Sequence, residues 1–136
     1  KLLKMLDDND SAVRYWAVLG LTMRGKETVT ANRERLRKAL ADPAPSVRIA
    51  AGEALGRYDE STPAQEILNV LLPLSNAETN GVHTAMLALN AIDAMGDRSK
   101  IAVSAVSNLP EKDPKADARM GAYVGRLIKD FVADRS

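Results

Sequence analysis

Apolar residues recur along this chain at steps of three and four, the period of an α-helix, and nowhere alternate long enough to mark a strand. The opening KLLKML, with Leu2, Leu3, Met5 and Leu6, reads as the last turn or two of a helix. Residues 7–10 form an acidic turn, and Asp10 or Ser11 supplies an N-cap for a helix over 12–23. The Gly25-Lys26-Glu27 stretch closes that pair. A helix over 28–40 follows, with Val29, Leu36 and Leu40 inward. Asp42 and Pro43 break the pattern, and Pro45 suits the first turn of a helix over 45–55. After a loop at 59–61, Thr62 as N-cap and Gln65 three residues on predict a capped helix over 63–74, with Pro73 near its end. Asn80-Gly81 marks a turn before a long helix over 82–95. A helix over 101–109 stops at Pro110, 111–115 is polar, and a terminal helix over 116–132 turns Met120, Val124, Leu127 and Phe131 inward. The last four residues should fray.

The stretch DPAPSVRIAAGEALGRY, from Asp42 to Tyr58, organises this series because it is written more than once. Asp8 precedes Val13-Arg14 by the same interval that separates Asp42 from Val47-Arg48, and Asp113-Pro114 stands in that relation to Ala118-Arg119. A weaker copy, NGVHTAMLALNAIDAMG, puts Thr84-Ala85 where Val-Arg belongs and so lacks the arginine. Val13 and Val47 are 34 residues apart, a length that fits one helical hairpin per copy and four copies in the chain.

An acidic residue, a turn with proline, Val-Arg and a small-residue run ending near Leu-Gly resemble the second helix of the HEAT-repeat family, in its bacterial HEAT-like form. The resemblance implies an all-α superhelix, a HEAT/ARM-like solenoid of about four helix pairs with the first truncated. It implies one domain over 1–136 with repeats at about 1–24, 25–58, 59–96 and 97–136. It also implies a ladder in which Arg14, Arg48 and Arg119 pair with Asp8, Asp42 and Asp113 of their own or the next turn. The planar guanidinium fork suits such a rung. The alternative is that these arginines line one surface and hold phosphate or sulfate. If Arg48 satisfies a buried partner, Arg48→Ala should cost about 1–3 kcal/mol. The wording AVRYWAVLGL, PSVRIAAGEALGRY and ALNAIDAMG is further similar to the HEAT-like segment at the C-terminal end of some bacterial arylsulfatase-type sulfatases. That likeness implies a sulfuric ester hydrolase as parent and a periplasmic or secreted location, with this segment packed on the catalytic domain. The sulfatase nucleophile string, Cys or Ser-x-Pro-x-Arg, does not occur here.

Composition narrows the reading further. Apolar residues make up 46% and charged residues 27%, but only 4% are aromatic, so the core must be aliphatic and alanine-rich. The chain has no cysteine, which excludes disulfides and thiolate zinc sites. No apolar run approaches the roughly 20 residues that span a bilayer. A net charge of +1 gives no prior for a polyanionic partner. The opening amphipathic pattern, without an initiator methionine or signal peptide, reads as a piece cut from a longer protein.

Candidate chemistry is sparse. His83 lacks the aligned carboxylate a general base would need, and no Gly-rich phosphate loop or H-E-x-x-H motif is present. No catalytic, cofactor or metal residue is assigned. Arg33, Arg37 and Lys38 are a weak anion-patch candidate: Arg33 and Arg37 share a helix face and Arg35 points elsewhere. Leu2, Leu3, Met5, Leu6, Tyr15 and Trp16 are candidates for an interdomain contact, or for a dimer through an uncapped N-terminal end. The expected role is a non-catalytic scaffold for protein interaction. A nucleic-acid module of the DNA glycosylase type and a HEAT-like lyase or chaperone are the alternatives, and near-neutral charge counts against the first of these.

Overall fold

The structure, a computed structural model, describes residues 1–110 and 115–135. Among them there is no strand, and the helices fall into four pairs. The first pair is α1 (Leu2–Met5) and α2 (Ser11–Met23). The second joins α3 (Lys26–Ala31) and α4 (Arg33–Ala39) to α5 (Pro45–Tyr58). The third is α6 (Ala64–Leu74) and α8 (Val82–Asp93), linked through the single turn α7 (Ala77–Asn80). The fourth is a 3-10 segment, Gly96–Ala102, running into α9 (Val103–Ser107) and followed by α10 (Ala118–Asp134). The second helices pack in succession, α2 on α5, α5 on α8 and α8 on α10.

Helix α5 is the centre of this stack and touches α2, α3, α4, α6 and α8. Its small residues make that possible. Ala50, Ala51, Gly52, Ala54 and Gly56 are all buried, as are Val47, Ile49 and Leu55. A Cβ added at Gly52 would lie 2.9 Å from Leu71 Cδ2, and one at Gly56 would lie 2.6 Å from Met95 Cγ. Leu36, Leu55, Ile67, Leu68, Leu71 and Ile92 fill the interior around it. The caps are local: Asp10 accepts from Ala12 N at 2.8 Å, and Asp117 accepts from Met120 N at 2.9 Å.

Several sequence expectations are corrected. The helix over 28–40 is two helices, because the backbone at Asn32 leaves helical geometry (φ −114°, ψ 23°) and the Asn32 side chain donates through Nδ2 to Thr28 O at 2.8 Å. Thr62 does not cap α6. It is fully buried and its hydroxyl donates to Asp59 Oδ2, while Gln65 bonds Asn69 rather than reaching back. The helix expected over 101–109 is α-helical only as α9, Val103–Ser107; Ile101 and Ala102 end a 3-10 segment begun at Gly96 (φ +62°) and pinned by Ser99 Oγ donating to Gly96 O at 2.6 Å. In α10 the buried residues are Val124, Ile128 and Phe131, with Met120 and Leu127 only half-buried. The end does not fray at 133: α10 runs to Asp134, and Arg135 is fastened beneath it, as described below. The polar segment expected over 111–115 lies, except for Lys115, outside the described residues.

The close approach at α5 makes a prediction. Gly52→Leu should lower unfolding free energy by about 1–3 kcal/mol through overpacking. Gly52→Ala should change it by less than about 1 kcal/mol, because better helix propensity offsets the Leu71 contact. Urea midpoints read both, and a Gly52→Leu protein as stable as the parent would show that α5 is not packed this tightly.

Candidate functional site

Several arginines and their acceptors bridge the seams between helix pairs. Arg14, the fourth residue of α2, grips Asp42 of the second pair: Nε donates to Oδ2 at 2.8 Å and Nη2 to Oδ1 at 3.0 Å. Its Nη1 also donates to the carbonyls of Asp8 and Asn9, at 2.8 and 3.1 Å. Asp42 accepts from Ala44 N as well, and Arg14 foremost holds its carboxyl below the usual range against the opposing effect of burial. Such two-pronged, charge-assisted contacts fix orientation as well as adding stability.

The basic run on α4 stitches in two directions. Arg33 Nε donates to Asp59 Oδ2 at 2.7 Å, and Arg37 grips Glu66 through Nε at 2.9 Å and Nη2 at 2.6 Å. Both partners lie toward the third pair. Arg35, about 200° round the helix from Arg33, turns back to the first pair and donates to Asp7 Oδ2 at 2.7 Å and Leu3 O at 2.9 Å. The anion patch expected at Arg33 and Arg37 is therefore corrected: both are neutralised within the protein. Lys38 alone of the three is exposed, beside a groove of about 590 Å³ that Asp7, Arg14, Arg35 and Asp42 also line.

Two arginines outside the repeated motif, Arg98 and Arg135, close the other seams. Arg98 Nη1 donates to the carbonyls of Leu55, Gly56 and Asp59, at 3.2, 3.2 and 3.0 Å, and Nη2 donates to Thr62 O. It is thus a C-terminal cap for α5, where a cation meets free carbonyls and the negative end of the dipole. Arg135 donates to Ser99 Oγ at 2.8 Å and Asp93 O at 3.1 Å, and lies 3.9 Å from the Phe131 ring centroid. Neither sits in a repeated motif, which is why periodicity could not find them.

The expected ladder residues are placed unevenly. Arg14 and Asp42 meet. The Asp8 carboxylate accepts from Asp10 N at 2.8 Å and shapes its own turn; Asp8 meets Arg14 through its carbonyl, and its carboxylate acts on Arg14 only through space. Arg48 has one hydrogen bond, Nη1 to Asp42 O at 3.3 Å, and acts on the Asp42 carboxylate only through space, without a direct ion pair. Arg119 is exposed and is the second residue of α10. Counting from the helix start, Val124 and Ile128 match Ala51 and Leu55, so the position equivalent to Arg14 is Gly121. Arg14, Arg48 and Arg119 consequently do not line one surface. Asp113 lies outside the described residues.

The apolar candidates also divide. Leu2 and Leu6 pack against the core, and Leu2 covers Gly20 at 2.9 Å from an added Cβ. Met5 and Tyr15 are half-buried. Leu3 (39%) and Trp16 (63%) are exposed, and so is Met23 (87%), which the sequence reading did not single out. Trp16 stands edge-on to Tyr15, centroids 5.8 Å apart. His83 is exposed as the second residue of α8. Among the described residues no group of three or more His, Cys, Asp or Glu side chains could hold a metal ion, and no helix is long and apolar enough to cross a membrane.

Helix pairs stacked through their second helices and sewn by inter-pair arginines define an α-helical repeat scaffold. A family model of HEAT repeats matches residues 1–90, and the chain belongs to that family. No curated protein and no solved structure matches it.

Asp59 generates a pH prediction. It is 1% exposed, and Arg33 foremost, then Thr62 and Ser61 N, pull its carboxyl down to about 2. The unfolded value is near 4, so its contribution is present above that pH and disappears as pH falls toward 2. Its size is about 2 kcal/mol. Asp59→Asn should lose about that much stability at pH 7 and flatten the acid limb between about pH 4 and 2. Equal urea midpoints for the variant and parent at pH 7 would refute this. By contrast, Arg48→Ala should cost under about 1 kcal/mol, below the sequence-based expectation, since it leaves no carboxylate unpaired.

Proposed function

We propose that the chain is a non-catalytic docking scaffold whose protein-binding surface is the exposed face of α1 and α2. The observation that carries this reading is the exposure of Trp16 and Met23 on one face. They are seven residues apart, two turns along α2, and Trp16 lies about 200° from Arg14, which reaches the second pair. In α5 the position equivalent to Trp16 is Ala50, which is buried. The first pair thus shows to solvent a position that the interior pair covers. Leu3 is exposed as well, and three of the five exposed large apolar side chains among the described residues belong to the first two helices. Tryptophan and methionine suit such a role, giving a large, adaptable contact area.

The partner is a protein face: a neighbouring domain of the same polypeptide, another protein, or a second copy of this chain. The sulfatase reading supplies a particular neighbour, a catalytic domain of a sulfuric ester hydrolase, and rests on repeat wording alone. A Cys/Ser-x-Pro-x-Arg string in sequence preceding Lys1 would support it, and an unrelated preceding domain would remove it. The nucleic-acid alternative draws no support from α4, whose arginines face carboxylates, and the lyase or chaperone alternative draws none from any site described.

In isolation this surface should associate with itself. Sedimentation equilibrium is expected to show weak dimerisation, with Trp16 emission shifting to the blue as concentration rises. Trp16→Glu with Met23→Glu should abolish both and leave the melting temperature unchanged. A large loss of melting temperature would assign the two side chains to folding instead of docking, and unaltered association would move the docking surface elsewhere.

A further inference from the structure

Helix α2 contains one charged residue, Arg14, and that side chain is bound to Asp42. On its outer side Ala12, Trp16, Leu19 and Met23 follow one another at intervals of four, three and four residues. At about 100° per residue they fall within roughly 60° of one another and form a single apolar seam. Ala12, Trp16 and Met23 are exposed and Leu19 is half-buried. Ala17, Val18 and Leu21 hold the opposite side of the helix in the core. The interior pair does not repeat this seam. The matching positions of α5 are Ser46, Ala50, Glu53 and Arg57, the last two joined by an ion pair of 3.5 Å. Arg57 is exposed although α5 packs against both α2 and α8. A further helix pair stacked on α2 as α2 stacks on α5 would therefore cover Trp16 and leave Met23 in water. Covering the whole seam takes a helix laid along α2.

Resting on the α1–α2 docking reading, we infer that the occupant of this surface is a second copy of the chain, with the two α2 helices antiparallel about a two-fold axis. The spacing of the seam reads the same in both directions. One register therefore matches every position, with the axis level with the midpoint between residues 17 and 18. It sets Ala12 opposite the partner's Met23, and Trp16 opposite the partner's Leu19. The smallest side chain of the seam thus meets the longest aliphatic one. The Trp16 ring meets the position that sinks partly into its own core, which leaves room for the indole. A parallel pair would set Trp16 against Trp16 and Ala12 against Ala12, overfilled at one level and empty at the other. A seam without charge also suits its own copy, because no charged group loses water in the contact. Thirteen residues of helix give about 20 Å of contact, so the association is weak.

The chain has no cysteine of its own, so placed thiols report the register. Ala12→Cys and a size-tagged Met23→Cys are mixed at equal concentration with oxidised glutathione and followed on non-reducing gels. In the antiparallel pair these positions face each other within disulfide reach. The mixed disulfide should form severalfold faster than either homodisulfide. Ala12→Cys mixed with Arg57→Cys, the off-seam control, should give only the background rate. Adding Trp16→Glu to both seam variants should return their mixed product to that background. Circular dichroism melts verify that each variant folds. Two results would overturn the inference: Met23→Cys pairing with itself as fast as with Ala12→Cys, or a mixed rate no higher than the control. If either occurs while Trp16→Glu with Met23→Glu still abolishes association of the parent chain, the docking surface stands and only the antiparallel pair falls. If association survives that double variant, the docking surface falls with it.

Discussion

A helical hairpin of this size cannot enclose its own apolar face, and close helix approach is what solves the problem here. Everything else in the molecule follows from how near α5 can come to its neighbours. A helix with leucine or isoleucine at positions 50, 52, 54 and 56 would stand off and leave gaps. With alanine and glycine there, the side chains of Leu71 and Met95 reach almost to the α5 backbone. Tight packing of this kind stabilises through many weak contacts, and it substitutes for the aromatic bulk the chain lacks.

Close stacking creates a second requirement. The turns that end each helix are brought against those of the next pair, and their carbonyls and carboxylates lose water. Unpaired, each would cost free energy. Arginine is the residue equipped to answer several acceptors from one position, and the seams use it that way. Arg98 meets four carbonyls and Arg14 a carboxylate with two carbonyls. No buried side-chain nitrogen or oxygen among the described residues is left without a partner.

What the sequence made legible was the part written periodically. The spacing of Asp42, Val47, Ala51 and Leu55, and its echo at Asp8, Val13, Ala17 and Leu21, gave the helical hairpins and their stacking order. What it hid was the part set by contacts distant along the chain. Nothing near Arg33 announces that its partner is Asp59, and nothing near Arg98 announces the end of α5. Arg33 and Arg37 of α4 looked like part of an anion patch because their acceptors lie 26 and 29 residues away. The last repeat was read two residues out of register, because the Ala118-Arg119 pair resembled Val-Arg more than the true equivalent, Met120-Gly121, does. The burial of Val124 and Ile128 fixes that register. For docking, the sequence marked Trp16 as unusual, but exposure of Met23 could be seen only once α2 had neighbours.

The position of Arg98 bears on how such an array comes apart. A stack in which each unit touches only the adjoining one melts like a row of coupled beads, from whichever end is weaker. Arg98 lies beyond α8, yet it closes the end of α5, and Arg135 in turn ties the last turn of α10 to the 3-10 segment that carries Arg98. These bonds tie the final segment of the chain to its middle. Fraying at the C-terminal end therefore uncaps the central helix, and the row behaves less like beads and more like a single cooperative body.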